Sequence, residues 1–299
     1  MPITGIDIST LNGDINYLAA KKANIGFAIV KASQGHALYS KGYLFEDKRF
    51  AKNVLGFHKV GIPVGAYHFF TASNLQETYC EADFFIKTVE PYRDKITLYL
   101  ACDAEIYGNP YINKLSKSEL TNLINAFCKR VEAAGYHACH YTNTDHINNY
   151  IDLDAISFPV WHAHYIKNGH TSRPTASGKK LAIHQYTDDG QISGVVGQFD
   201  MNFGYGPLAR LIIQSRTTLE DQTLDYIEKF PSGEMILTKI ADKMVRREFS
   251  PLRISGHDRL VAHMRLHYGL TPDEAAYLNS YRFAEPLFDK LYKAVLKTG

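Results

Sequence analysis

The chain contains few cysteines, a single tryptophan and almost no excess of charge of either sign. Its four cysteines are not spaced as CxxC and no histidine stands at zinc-finger spacing from them, so we expect reduced, structural thiols. A formal net charge of +2 over 299 residues gives no electrostatic support for a nucleic acid partner. Any function must therefore come from the chemistry of individual side chains.

Long hydrophobic runs are also absent. No stretch approaches the roughly 20 apolar residues that a membrane-spanning helix needs, so we expect no membrane span. The first ten residues, MPITGIDIST, lack the positively charged and apolar regions of a secretion signal. We therefore expect synthesis in the cytoplasm without a signal peptide, and a carrier other than a cleaved signal if the protein acts elsewhere.

Tyrosine and phenylalanine, in contrast, are abundant, with 20 and 16 copies. Tyrosine offers a flat apolar face and a polar tip, which suits stacking on a sugar ring. The same residues also suit an ordinary hydrophobic core. Composition alone therefore leaves a sugar-binding groove and a plain aromatic core as alternatives.

Eight short segments rich in β-branched or aromatic residues have the pattern of β-strands. They are residues 3–9, 26–32, 62–70, 96–105, 136–142, 159–165, 181–187 and 198–202. Helical periodicity fits the gaps after the first five, as in residues 45–61, 74–90 and 116–135. Alternation of strand and helix is typical of a parallel sheet. We predict an α/β fold, an irregular (β/α) barrel with eight strands and about five helices, with a turn over residues 187–194.

The pattern changes in the last third of the chain, where strand patterns end and helical periodicity continues. One segment, residues 271–278, has a complete helix start signal, with Thr271 as N-cap and Glu274 closing a capping box. We therefore predict two domains, a barrel over residues 1–214 and a helical domain over residues 215–299.

Two carboxylates close the fourth predicted strand, in the stretch LYLACDAE. Asp103 and Glu105 are two residues apart, so both side chains would point to the same face of the strand. Barrels of this type carry their active site at the C-terminal ends of the strands. Two acids this close repel when both are ionised, so one should have a raised pKa and keep a proton near neutral pH. A protonated acid beside an ionised one can split a glycosidic bond.

Two further acids end strands at the same rim, Asp7 in GIDIST and Asp200 in QFDMN. A single aspartate at a strand end usually caps a turn or pairs with a surface lysine, but four acids at the ends of three strands indicate a shared site. A divalent ion held by these carboxylates and His68 is an alternative to acid/base catalysis. We favour acid/base catalysis and expect neither a metal nor an organic cofactor.

Six segments occur in an order that is typical of one family: GIDISTLNGDIN, FAIVKASQG, VGAYHFF, LYLACDAE, VWHAHY and HQYTDDGQISGVVGQFDMNFGYG. With them the chain resembles the family 25 glycoside hydrolases, muramidases of the Chalaropsis lysozyme type that include many phage endolysins. The resemblance runs from residue 3 to about residue 207. It implies an irregular barrel and hydrolysis of the β-1,4 bond between N-acetylmuramic acid and N-acetylglucosamine in peptidoglycan.

The resemblance also implies roles for the four acids. Glu105 would be the general acid/base, and Asp103 would stabilise the positively charged species that forms as the bond breaks. Asp7 and Asp200 would position the sugar and tune this pair. The nucleophile is left open between Asp103 and the N-acetyl group of the substrate.

A sugar-binding groove is a further implication of the resemblance. Its lining would be Tyr67, Tyr141, Trp161, Tyr165 and Gln185. For Trp161 the alternative is a place in the core. Lys31, which ends the second predicted strand, would either lower the pKa of a neighbouring acid or lie solvated at the rim. A chitinase fits less well, because its DxxDxDxE motif needs aspartates where this chain has Leu98 and Ala101.

The helical tail matches no wall-binding repeat that is common in this family. It leaves three interpretations: a wall-docking module, a buttress for the barrel, or a docking surface for a delivery or immunity protein. We predict a monomeric muramidase that acts on peptidoglycan glycan strands in the bacterial cell wall. A phage or prophage endolysin is the favoured setting, with a lysozyme effector delivered by a secretion system as the alternative. A non-catalytic peptidoglycan-binding barrel is the rival from another class, and Glu105 argues against it.

Overall fold

The structure is a computed structural model that describes residues 2–35, 44–107, 109–165, 174, 181–216, 221–246, 257–281, 287 and 290–291. Contacts between Cα atoms divide the chain into two compact units. One unit is Thr4–Phe203, and the other is Gly204–Gly299 together with Met1–Ile3.

The first unit is built on one sheet whose strands close into a barrel. The strands are β1 (Ile3–Ile8), β2 (Phe27–Gln34), β3 (Phe45–Glu46), β4 (Val64–Phe69), β5 (Ile96–Asp103), β6 (Ala138–Asn143), β7 (Val160–Ala163), β8 (Leu181–Ile192) and β9 (Val195–Gly204). Strand β1 pairs in parallel with β2 and neighbours β9 on its other side, so eight strands form a closed ring. The short β3 pairs antiparallel with β2 outside this ring. The predicted eight-stranded barrel is confirmed.

Within the described part of this unit there are five α-helices, in agreement with the predicted number of about five. They are α1 (Tyr17–Lys22), α2 (Phe50–Lys59), α3 (Leu75–Val89), α4 (Lys117–Ala133) and α5 (Thr144–Asn149). Helix α4 begins with the predicted capping box, in which the side chains of Ser116 and Glu119 each accept from the other residue's backbone N–H. Each helix follows one of the first five barrel strands, which places the helices on the parallel part of the sheet.

Two boundaries of secondary-structure elements differ from the sequence prediction by more than a few residues. Residues 187–194 were expected to form a turn, but β8 continues through this polar stretch to Ile192 because it is hydrogen-bonded to β9 along the ring. Only residues 193–194 form the turn. Helix α2 begins at Phe50 rather than at residue 45, because residues 45–46 pair with Ser33 and Gln34. In both places, strand pairing outweighs local sequence preference.

Alternate residues of the strands face the barrel interior and the surrounding helices. On β4 the ring of Tyr67 lies near the indole of Trp161, with ring centroids 6.1 Å apart. The next residue, His68, points the other way and stacks on Phe127 of α4 at 5.4 Å. This alternation separates the polar interior of the barrel from the apolar layer beneath the helices.

The second unit is helical over its described residues. Its helices are α6 (Gly206–Arg216), α7 (Asp221–Glu228), α8 (Gly233–Arg246), α9 (His257–Tyr268) and α10 (Pro272–Asn279). The predicted capping box of Thr271 and Glu274 starts α10, and Glu274 also accepts a hydrogen bond from Lys239 at 2.7 Å. Helix α6 was not predicted. The helical periodicity of the sequence covers residues 217–230 and 233–249, of which residues 217–220 and 247–249 lie outside the described residues. No helix within the described ranges is both long enough and apolar enough to cross a membrane.

Candidate active site

The four predicted acids come together inside the barrel. Asp7 and Asp103 lie near the C-terminal ends of β1 and β5, Asp200 lies on β9, and Glu105 follows β5 by two residues. Burial raises the pKa of Asp103 well above its usual value, and the negative charges of the other three acids raise it further. Mutual electrostatic influence of this kind requires short separations within a poorly solvated site.

Asp7 and Asp200 lie on the neighbouring strands β1 and β9, and their carboxyl groups influence each other's pKa. Burial raises the pKa of Asp7 well above its usual range, and the charge of Asp200 adds to the rise. Burial also raises the pKa of Asp200, but only to about 6, because the hydrogen bond with Asp7 opposes the rise. Asp7 therefore keeps the shared proton while the more exposed Asp200 ionises as the pH passes about 6.

Asp103 and Glu105 form the second acid pair. Burial raises the pKa of Glu105, and the negative charge of Asp200 raises it further. The larger rise belongs to Asp103, which is the more deeply buried of the two. The prediction that one acid has a raised pKa is therefore too narrow, since both do. When one of these two carboxyl groups has ionised, the remaining proton is shared between Asp103 and Glu105.

Among the described residues, Lys31 is the cation that acts on this pair. Burial lowers the pKa of Lys31, and the charges of Asp103, Asp47 and Glu105 counteract that decrease. Its ammonium group donates to Gln34 Oε1 at 2.9 Å and lies 5.2 Å from the centre of the Phe69 ring. In return, its charge lowers the pKa values of Asp103 and Glu105. This arrangement favours the first of the two alternatives that the sequence leaves for Lys31.

A chain of buried amides holds Asp7 in place. Gln185 Nε2 and Asn202 Nδ2 donate to the same oxygen, Asp7 Oδ2, at 2.9 and 2.7 Å. Gln185 Oε1 in turn accepts from the hydroxyl groups of Tyr141 and Tyr165, each at 3.1 Å. Gln185 is only 3% exposed, so its polar atoms contact Asp7 and the two tyrosines rather than solvent.

The aromatic residues divide into a buried pair and an accessible pair. Trp161 is 2% exposed, and its ring lies 4.8 Å from that of buried Tyr141. This burial favours the alternative that Trp161 packs in the core. Tyr165 is 43% exposed, and Tyr67 is partly exposed inside the barrel. Tyr165 and Tyr67 therefore remain the predicted aromatic residues best placed to meet a sugar ring.

His68 lies outside the acid cluster. Its ring bonds Ser33 Oγ at 2.8 Å and Glu81 Oε2 at 3.0 Å, on the side of the barrel that faces α3. The alternative of a divalent ion held by His68 and the acids is therefore not supported by the position of His68. Among the described residues, no three His, Cys, Asp or Glu side chains are grouped so as to hold a metal ion.

Asn202 is the residue of this site that the sequence analysis missed. It is fully buried and connects Asp7 to Trp161, whose indole N–H donates to Asn202 Oδ1 at 2.8 Å. A signal was present in the sequence, because Asn202 stands two residues after Asp200 and so shares its face of β9. An asparagine carries neither a charge nor an aromatic ring, so its sequence position alone does not indicate a role in the site.

Comparison with known proteins identifies the family. The model of glycosyl hydrolases family 25 matches residues 6–195. Lysozyme M1 of Streptomyces globisporus is 30% identical over 227 residues, which cover 72% of this chain and 72% of that protein. The chain belongs to glycosyl hydrolases family 25. The resemblance seen in the sequence is thereby confirmed, and the protein is a glycoside hydrolase.

Solved structures of family 25 proteins share the barrel. The spore cortex lytic enzyme SleM of Clostridium perfringens is 28% identical with a TM-score of 0.59, over 68% of this chain and 67% of that one. The catalytic domain of endolysin ply40 from bacteriophage P40 of Listeria monocytogenes is 25% identical with a TM-score of 0.58. That match covers 71% of this chain and 97% of the ply40 domain. The similarity thus covers about the same share of the chain as the barrel unit.

Proposed function

We propose that this family 25 hydrolase cleaves the β-1,4 bond between N-acetylmuramic acid and N-acetylglucosamine in peptidoglycan, by carboxylate acid/base catalysis. The convergence of four acids from β1, β5 and β9 inside one barrel carries the proposal. The similarity to lysozyme M1 supports peptidoglycan as the substrate. Rival barrels that only bind glycan have no need for a group of acids that raise one another's pKa values.

Glu105 is the general acid in this proposal. Burial and the charge of Asp200 raise its pKa, so it keeps a proton at a pH where an ordinary glutamate has lost it. It donates that proton to the glycosidic oxygen, and the electron pair of the breaking C–O bond stays with the leaving sugar. The ionised Glu105 then takes a proton from the water that completes hydrolysis.

Asp103 stabilises the positive charge that forms on the other side of the bond. Its Oδ1 is buried and has no hydrogen-bond partner among the described residues. A substrate amide N–H bonded to this oxygen would favour the ionised form of Asp103 and so leave the shared proton on Glu105. Substrate binding would thus set the protonation state that bond cleavage requires.

Glu105→Gln tests the assignment. The amide keeps the shape of the side chain but has no proton to donate, so clearing of purified cell walls should fall about 10²- to 10⁴-fold. Glu132→Gln, at an exposed position of α4, is the matched control and should clear like the wild type. Equal clearing by both variants, or none by the wild type, would show the assignment to be wrong. Reducing ends of the released fragments should be muramic acid.

We propose further that the Thr4–Phe203 unit carries the chemistry and that the helical unit acts in delivery or docking. All four acids, Lys31 and the amides around Asp7 lie in the first unit.

An endolysin setting is favoured by the similarity to the ply40 domain. Expression of the full chain inside bacteria, with and without a membrane-permeabilising holin, tests this setting. Lysis only with the holin supports it, whereas lysis without one contradicts it.

A further inference from the structure

We propose that Asn202 is a positioning residue that fixes the carboxyl group of Asp7 so that one proton lies between Asp7 and Asp200. The inference rests on the proposed function for its kinetic consequence, whereas its structural content rests on the hydrogen bonds that Asn202 makes with Asp7, Trp161 and the backbone of Asp200. Asn202 is fully buried and is placed to act on the reaction through Asp7.

The orientation of the Asn202 amide is determined by its neighbours. Trp161 Nε1 lies 2.8 Å from one end of the amide, and an indole nitrogen can only donate a hydrogen bond. That end must therefore be the oxygen, Oδ1. The nitrogen, Nδ2, consequently faces Asp7 Oδ2 at 2.7 Å and the backbone oxygen of Asp200 at 3.3 Å. Trp161 thus fixes which group Asn202 presents to the acid.

This orientation determines which oxygen of Asp7 can carry a proton. Asp7 Oδ2 accepts from Asn202 at 2.7 Å and from Gln185 at 2.9 Å, so two donors already face it. A proton on Oδ2 would point at those donors, which is unfavourable. The proton held by Asp7 therefore lies on Oδ1, where it can be donated to the carboxyl group of Asp200.

The same contact limits how strongly Asp7 holds its proton. Burial and the charge of Asp200 raise the pKa of Asp7, whereas the hydrogen bonds from Asn202 and Gln185 lower it. The charged and titratable groups around the pair come from every strand that lines the site. They are Lys31, Tyr67, Asp103, Glu105, Tyr141, Tyr165 and Asp188.

Asn202→Asp separates positioning from simple packing. The new side chain has the same shape and still accepts from Trp161, but it can donate to Asp7 only when it is protonated. We expect kcat relative to wild type to fall as the pH rises, by about tenfold or more between pH 5 and pH 8. KM should stay within about twofold of the wild type, because a fully buried side chain touches no sugar.

Asn53→Asp is the matched control, since Asn53 is also buried but lies on α2, outside the barrel interior. Its effect on kcat should be the same at every pH. Far-ultraviolet circular dichroism at each pH verifies that both variants are folded. A pH-independent ratio for Asn202→Asp, like that of the control, would overturn the positioning role.

If Asn202→Asp does not fold, a measurement on the unmodified chain tests the positioning role of Asn202. The side-chain ¹⁵N and ¹H resonances of Asn202 should shift with a midpoint near pH 6, the pKa of Asp200. No shift between pH 4.5 and 7.5 would refute the hydrogen-bonded link. If the wild type releases no muramic acid ends, the proposed function fails, while the titration still reports on Asn202.

Discussion

The ionisation of Asp200 should set the acidic limit of activity. Burial raises its pKa to about 6, and it is the least buried member of the Asp7–Asp200 pair. When it is ionised, its charge raises the pKa of Glu105 and so helps to keep this proposed general acid protonated. An ionised Asp200 also stabilises the positive charge that forms on the sugar. Activity should therefore rise as Asp200 loses its proton, and it should fall at higher pH as Glu105 loses its own.

The size of the effect follows from that pKa. With a midpoint of about 6, roughly half of Asp200 is ionised at pH 6 and about one tenth at pH 5. We expect kcat/KM to fall about tenfold for each pH unit below 6. Asp200→Asn has no charge to gain, so its profile should lack this acidic limb. Its alkaline limb should move to lower pH, because nothing replaces the charge that raises the pKa of Glu105.

The assay is release of reducing ends from solubilised glycan strands between pH 4.5 and 8.5, at constant ionic strength. Wild type and Asp200→Asn are compared at substrate concentrations well below KM, so that the profile reports free-enzyme pKa values. A wild-type acidic limb near pH 4, the region of an ordinary aspartate, would refute the reasoning. An unmoved alkaline limb in Asp200→Asn would refute the coupling to Glu105.

The remaining predictions concern Lys31 and the buried contacts behind the barrel wall. Lys31→Met removes a charge that lowers the pKa of Glu105, so its alkaline limb should move to higher pH, opposite in direction to Asp200→Asn. Glu81→Ala leaves three buried donor contacts, two from Thr71 and one from His68, without their acceptor. We expect a loss of about 3 kcal/mol or more in the free energy of unfolding, seen as a decrease in Tm of about 6 °C or more. Asp83→Asn breaks only an exposed ion pair with Arg130 and should change Tm by no more than about 2 °C.

Much of the barrel could be predicted because its signals are local. Short apolar segments alternate with periodic helices, and Ser116 with Glu119 marks the start of α4 directly. The positions of Asp7 and Asp103 follow from strand ends, since parallel strands bring their C-terminal ends to one edge. These features need no knowledge of which distant residues touch.

Features that depend on distant pairing could not be predicted. Residues 187–191 are polar or glycine and are typical of a turn, yet they extend β8 because β9 offers a hydrogen-bonding partner. Gln185 is predicted to line the sugar groove, but the hydrogen bonds of its amide with Asp7 and two tyrosines could not be foreseen. Local sequence does not show which of several possible partners a polar residue will bond. That choice depends on which strands become neighbours in the closed ring.

Strand β2 shows how one irregularity serves both sides of the barrel wall. Residues two apart on a regular strand face the same side, which would point Lys31 and Ser33 in one direction. The pairing with β4 shifts between these two residues, so Lys31 pairs with Tyr67 while Ser33 pairs with His68. The bulge lets Lys31 reach the acids and Ser33 bond His68 on the outer side at 2.8 Å. Since His68 is in turn held by Glu81 of α3, helix packing fixes the strand that carries the only cation found to act on Glu105 among the described residues.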